Sequence, residues 1–232
     1  HSLTIREEHL LQLKRHLLRD DACERVAYLL CNQALIGHDP WDRCAHSKYL
    51  VAKVIPVPDA ELLQSTPDKV TWGTASFVRL LKEAAAHKQV LAIVHNHSGG
   101  MASFSSQDDE NEPDLVQLAV NRNGPGTQFI SMILTSDETL IGRVWLYPAK
   151  RAYESLGMIQ VIGTQYRLHY AGRGGGASIP ALHRQALAFG NALNGDLRKL
   201  RVGIVGCGGT GSAVAMLLAR LGVGQLVVID ND

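Results

Sequence analysis

The chain has 232 residues, 46% of them hydrophobic and 19% charged, as in a globular protein with at least one sizeable core. A formal net charge of +1, with no basic tract interleaved with aromatics, gives no electrostatic case for nucleic acid as a partner. Four cysteines without CxxC spacing argue against a disulfide framework or a cysteine-bound zinc, whereas ten histidines turn any search for metal toward His and carboxylate ligands. No apolar run reaches the length of a membrane span and no segment reads as a signal peptide, so the expected compartment is a reducing cytoplasm.

In chain order, residues 5–19 put Leu10, Leu13, Leu17 and Leu18 on one face of an amphipathic helix. Val26 to Cys31 reads as a buried strand with Glu24 just before it, and a second strand is expected from Leu50 to Val57. Residues 74–87 read as a helix with Phe77, Leu80, Leu81 and Ala84 facing inward. Val90 to Val94 reads as a strand running straight into His95-Asn96-His97. A helix is expected from Asp108 to Asn121, its acidic first turn (Asp109, Glu110, Glu112) suiting the helix dipole. Strands at Gln128–Thr135 and Thr139–Trp145 would complete a mixed sheet.

Composition shifts after Tyr147. Residues 148–180, with the glycine-rich stretch 171–178, read as a linker. A helix at about 181–192, a strand at Arg201–Val205, a glycine turn, a helix at about 210–221 and a strand at Gln225–Asp230 follow. That strand–helix–strand order belongs to a parallel sheet, which is expected to be incomplete at Asp232.

His95-x-His97, followed after ten residues by Asp108, is a ligand set suited to a catalytic zinc: two imidazoles and a carboxylate leave a fourth tetrahedral position open. The strand is expected to end at Val94, the loop letting the two imidazoles converge, and Gly99 and Gly100 permit a turn that brings Asp108 back. Glu24, at the mouth of a neighbouring strand, is the candidate general base, and Ser105 the candidate hydrogen-bond donor to an oxyanion. Taken alone, HxH reads more readily as two solvated loop histidines. The full run of strand, HxH, glycine turn, serine and an aspartate opening a helix favours the metal.

His95-Asn96-His97-Ser98-Gly99 … Ser105-Ser106-Gln107-Asp108 resembles the HxHPxG…SxxD signature of the JAB/MPN (JAMM) metalloproteases, and Glu24-Arg25-Val26-Ala27-Tyr28-Leu29-Leu30 resembles the segment that supplies their catalytic glutamate. The resemblance covers about residues 3–147 and implies a zinc-dependent protease domain; Ser98 stands where the family usually has proline. The surplus acids Asp109, Glu110 and Glu112 are expected to be helix-start charges.

In the second part, Gly206, Gly208 and Gly211 form GxGxxG between a strand and a helix. There main-chain amides can approach a phosphate, and Asp230 at the end of the next strand can hold a ribose hydroxyl. By itself that motif is weak, and a dehydrogenase fold is its default reading. Gly206-Cys207-Gly208-Gly209-Thr210-Gly211-Ser212, Ala219-Arg220-Leu221-Gly222-Val223-Gly224, Ile229-Asp230-Asn231-Asp232 and the upstream Arg184 to Gly190 resemble the ThiF-type adenylyltransferases, relatives of the ubiquitin-activating enzymes. The resemblance implies ATP with Mg2+ in a complete domain, contacts from Gly206, Gly208, Gly209, Gly211 and Asp230 with Arg184 and Arg220 as further candidates, and a homodimer through this part. Cys207 reads as a packing residue of the turn.

The expected fold is α/β: a JAMM-type mixed sheet with flanking helices, followed by the opening of a Rossmann-like parallel sheet. The expected function is zinc-dependent hydrolysis of a peptide or isopeptide bond after the C-terminal glycine of a ubiquitin-like protein. Two alternatives stay open: release of an adduct from a sulfur-carrier protein, and a metal-free binding platform.

Overall fold

The computed structural model describes residues 1–39, 41, 43–146, 152–171 and 180–231, with the side chains of 191 and 192 excepted. Two compact units divide the chain: residues 1–37 with 45–171, and residues 38–44 with the described part of 172–232.

The first unit runs β1 (Ser2–Arg6), α1 (Glu7–Leu17), β2 (Val26–Ile36), β3 (His46–Pro56), β4 (Leu62–Thr66), β5 (Lys69–Trp72), α2 (Thr74–Ala86), β6 (Gln89–His97), α3 (Ser106–Asn123), β7 (Phe129–Thr135), β8 (Leu140–Trp145), β9 (Tyr153–Ser155), β10 (Met158–Ile162) and β11 (Arg167–Tyr170). Nine strands form one mixed sheet in the order β11-β10-β1-β3-β2-β6-β7-β8-β9, while β4 and β5 form a separate hairpin.

Alternation along the central strands explains why helices cover both faces, because successive side chains of a strand point to opposite sides. Ala27, Leu29 and Cys31 of β2, with Val90, Ala92 and Val94 of β6, join Leu10, Leu13 and Leu17 of α1 in one core. Val26, Tyr28 and Leu30, with Leu91 and Ile93, join Phe77, Leu80, Leu81 and Ala84 of α2 and Val116 and Ala119 of α3 in a second core on the other face. Burial pushes the Cys31 thiol up to about 12, so it packs as a small apolar group.

Several expectations change here. The helix expected from residue 5 begins at Glu7, because Ser2–Arg6 is drawn into the sheet between β3 and β10, both parallel to it. The strands expected at 26–31 and 50–57 extend to Ile36 and start at His46, each supported by the other's antiparallel ladder. Residues 153–170, expected within a linker, form β9, β10 and β11 of the main sheet, with Leu156, Ile159 and Val161 buried in the first core. Their strands are too short for a clear periodic pattern and gain their order from long-range pairing. Residues 148–151 and 172–179 of that linker lie outside the described residues.

The second unit contains α4 (His183–Phe189), α5 (Asn191–Lys199), β12 (Arg201–Val205), α6 (Gly209–Leu221) and β13 (Gln225–Ile229), with β12 and β13 parallel in register from Arg201↔Gln225 to Val205↔Ile229. The single helix expected at 181–192 is broken at Gly190, whose φ of 85° leaves the helical region. Gly222, left-handed at φ 91°, caps α6. No helix among the described residues is long and apolar enough to cross a membrane.

Candidate metal centre

Strand β6 does not stop at Val94; it runs through His97, pairing His95 with Ile133 and His97 with Thr135 of the parallel strand β7. The strand repeat, not a flexible loop, therefore aims both imidazoles to one side, the face of Leu91 and Ile93. Their Nε2 atoms lie 3.1 Å apart. Asp108 arrives from the first turn of α3, its Oδ1 3.3 Å from His95 Nε2 and its Oδ2 3.7 Å from His97 Nε2. Among the described residues, these three side chains bring donor atoms within 4.8 Å of one another.

The surroundings fix each donor. His97 Nδ1 lies 3.2 Å from the Met101 carbonyl; donating there leaves the Nε2 lone pair free toward Asp108 and His95. Ser105 is the N-cap of α3, in a reciprocal capping box with Asp108: the Asp108 N–H donates to Ser105 Oγ at 3.2 Å, and the Ser105 N–H and hydroxyl donate to Asp108 Oδ2 at 2.7 and 2.8 Å. Ser105, the candidate oxyanion donor, thus orients the Asp108 carboxylate. Gly100 turns the intervening loop with φ 71°. Ser98 donates to the Pro67 carbonyl at 2.6 Å, tying the loop to the β4–β5 hairpin.

Electrostatics suit the donor set. Burial holds the His95 pKa down at about 4, so its imidazole is neutral at pH 7. The Asp108 hydrogen bond, against the effect of burial, raises His97. Burial opposes ionisation of Asp108, yet His97, His95 and Ser105 together hold it well below the usual carboxylate range. Two neutral-capable imidazoles and an ionised carboxylate with converging atoms fit a divalent cation such as zinc.

Glu24 lines the same cavity, of about 210 Å³, with His95, His97, Asp108, Asp68, Val70, Trp72 and Leu115 among its other walls. It is 8% exposed, and burial raises its pKa to about 7, His97 opposing and Asp108 and Asp68 adding to the shift. A carboxyl poised near neutrality can accept and return a proton at working pH.

Two features escaped sequence reasoning. The β4–β5 hairpin, with Asp68, Val70 and Trp72, forms one wall of the cavity; its brevity left no periodic signal. Asp109 and Glu112, expected to be helix-start charges, both bind Arg143, and Glu112 is 3% exposed. An acidic residue on the inner face of α3 and an arginine inside a buried strand were the available signals for that pair.

In the second unit, the glycine turn takes the expected form. Gly206 has φ 83°, and its N–H donates to the Ile229 carbonyl at 2.8 Å. A Cβ on Gly211 would fall 1.7 Å from the Gly206 carbonyl oxygen, so the close approach of turn and helix needs glycine there. Gly208 and Gly209 open α6. Asp230 accepts from the Cys207 N–H and, at 2.9 Å, from the Asn231 N–H, so its carboxylate braces the turn. Arg184 and Arg220 are exposed.

A mixed sheet whose central strand and neighbouring helix present His, His and Asp beside a buried glutamate defines a JAB-type domain. The chain belongs to the family of prokaryotic homologs of the JAB domain, which it matches over residues 6–147, and residues 182–232 match the ThiF family. The chain therefore joins a JAB-like domain to a segment that matches the ThiF family. No curated protein gives a significant match.

Proposed function

We propose that the chain is a zinc metallopeptidase that cleaves the peptide or isopeptide bond after the C-terminal glycine of a ubiquitin-like or sulfur-carrier protein. The observation that carries this reading is the convergence of His95, His97 and Asp108 in one cavity with a buried glutamate held near neutrality. Fusion to a ThiF-like segment supports the substrate class, since both families act on such glycine tails; that link is one of association.

His95, His97 and Asp108 would hold the ion, which when bound polarises a carbonyl and acidifies water. Glu24 takes the proton from the attacking water and returns it to the departing amine, a cycle its pKa of about 7 suits. Ser105 keeps Asp108 oriented, and its hydroxyl is the group closest in kind to an oxyanion donor should it turn from the carboxylate. In the ThiF-like segment Gly206, Gly208, Gly209 and Gly211 are the proposed approach for ATP phosphates. Asp230, at the end of β13, is the proposed partner of a ribose hydroxyl.

The test is incubation of the zinc-loaded chain with a ubiquitin-like protein fused through its terminal glycine to a reporter. Mass spectrometry should find the cut immediately after that glycine, and its loss on chelation. Uncut fusion in the presence of bound zinc would overturn the reading.

A further inference from the structure

The ladder between β2 and β6 begins at Val26↔His95, so the main chain of residues 23–25 has left the sheet just where Glu24 must be placed. Main-chain groups in that position need other partners. Asn96, between the two histidines in sequence, points to the opposite side of β6 from them and is 2% exposed. Its Oδ1 accepts from the Arg25 N–H at 2.6 Å, its Nδ2 donates to the Cys23 carbonyl at 3.2 Å, and its own N–H donates to the Arg25 carbonyl at 3.4 Å. Both ends of the side-chain amide are thus spent on the residues flanking Glu24. The hairpin closes the clamp from the other side: the Glu24 N–H donates to the Thr66 carbonyl, and the Ser65 hydroxyl donates to the Glu24 carbonyl, each at 2.8 Å.

We propose that Asn96 is a positioning residue: its amide fixes the Cys23–Arg25 main chain and so aims Glu24 into the cavity occupied by the ligands on either side of Asn96. One strand residue thereby sets the distance between base and metal ligands, since His95, Asn96 and His97 move as one rigid segment. The inference rests on the proposal that Glu24 accepts the water proton, and it gives the amide in the middle of this HxH a role: it supplies an acceptor and a donor together, where an ionised Asp of the same length would only accept.

Asn96→Leu, of similar size and without hydrogen-bonding atoms, is the test, with Asn96→Ser as a smaller second variant should the first fail to fold. Both variants should retain about one zinc per chain, because none of His95, His97 and Asp108 is altered. Amide exchange at Arg25 should accelerate at least tenfold while exchange within Val26–Cys31 holds. Cleavage of the glycine-tail fusion should fall on the order of 100-fold, as expected for a misplaced catalytic group. In a Glu24→Gln background the same substitution should cost nothing further, since the group it positions is gone. Unchanged Arg25 exchange, or a full additional loss in the Glu24→Gln background, would overturn the assignment. A wild-type chain that binds zinc but leaves the fusion uncut would sink the functional reading alone, and the exchange measurement would still decide whether Asn96 holds the segment.

Discussion

Arg143 of β8 donates through Nε to Glu112 Oε2 of α3 at 3.0 Å, and both side chains are almost wholly removed from water. The Trp145 indole and the Ser131 hydroxyl donate to the same oxygen at 2.6 and 2.5 Å, and the Phe104 ring lies 3.8 Å from the Arg143 guanidinium carbon. Through Asp109, 2.5 Å away, the guanidinium also holds the first turn of α3, next to Asp108.

Removing Glu112 strips the buried Arg143 guanidinium of its buried counter-charge and leaves it the half-exposed Asp109. Glu112→Ala is expected to destabilise the first unit by about 3–5 kcal/mol, whereas the double variant Glu112→Leu/Arg143→Met should lose much less. Urea unfolding of the three proteins checks this; equal losses in the single and double variants would show that the ion pair itself stabilises the fold.

Zinc should bind at about one ion per chain, measured by elemental analysis, and His97→Ala should lose it. Because the Asp108 hydrogen bond raises the His97 pKa, a proton must leave that imidazole when the metal binds. Affinity should therefore weaken as pH falls through and below the usual histidine range. Calorimetry in buffers of different ionisation enthalpy reads the released proton directly, and a buffer-independent heat near pH 6.5 would contradict it.

Glu24→Gln should keep zinc and fold but slow cleavage by about 10²–10⁴-fold, since an amide cannot accept the water proton. In the metal-free protein the raised pKa has a second consequence. Glu24 is held at about 7 in the folded chain, above the ordinary carboxylate value, so the folded state favours the neutral acid. Its contribution to stability is fully present below about pH 4.5 and is lost as pH rises through 7. Glu24→Gln should thus be more stable than the wild type at pH 8, by on the order of 1–3 kcal/mol, with no gain at pH 4. Thermal melts in chelator at the two pH values test the sign.

Gly211→Ala should disturb the second unit locally. The new methyl would meet the Gly206 carbonyl at 1.7 Å, forcing the turn from α6 at a cost of about 1–3 kcal/mol or more. Hydrogen exchange should rise across 201–229 and stay unchanged across 26–97, with zinc content intact. Unaltered exchange in both regions would mean that the turn adapts freely.

Substrate selection should follow the terminal glycine. A residue without Cβ can pass close to the metal ligands and Ser105, and Leu in its place should clash. Replacing the last glycine of the ubiquitin-like fusion by Leu is expected to cut the cleavage rate sharply, and an insensitive rate would favour a general peptidase.

The sequence by itself determined the elements whose periodicity is long or whose chemistry is local. Phe77, Leu80, Leu81 and Ala84 announced the inner face of α2, and Val90 to Val94 announced the central strand, because those patterns repeat over several turns or residues. His95, His97 and Asp108 were legible from spacing, as were the glycines of the turn, where Gly206 takes a positive φ and Gly211 leaves no room for a Cβ. Tertiary structure alone decided what depends on distant partners. Ser2–Arg6 and residues 153–170 become strands only because the sheet supplies ladders to them, and Glu112 becomes a buried counter-ion only because Arg143 stands opposite on β8. The proposed role of Asn96 is of the same kind: its neighbours in sequence mark a candidate metal site, but the 2.6 Å contact with Arg25, 71 residues away, exists only in the folded chain.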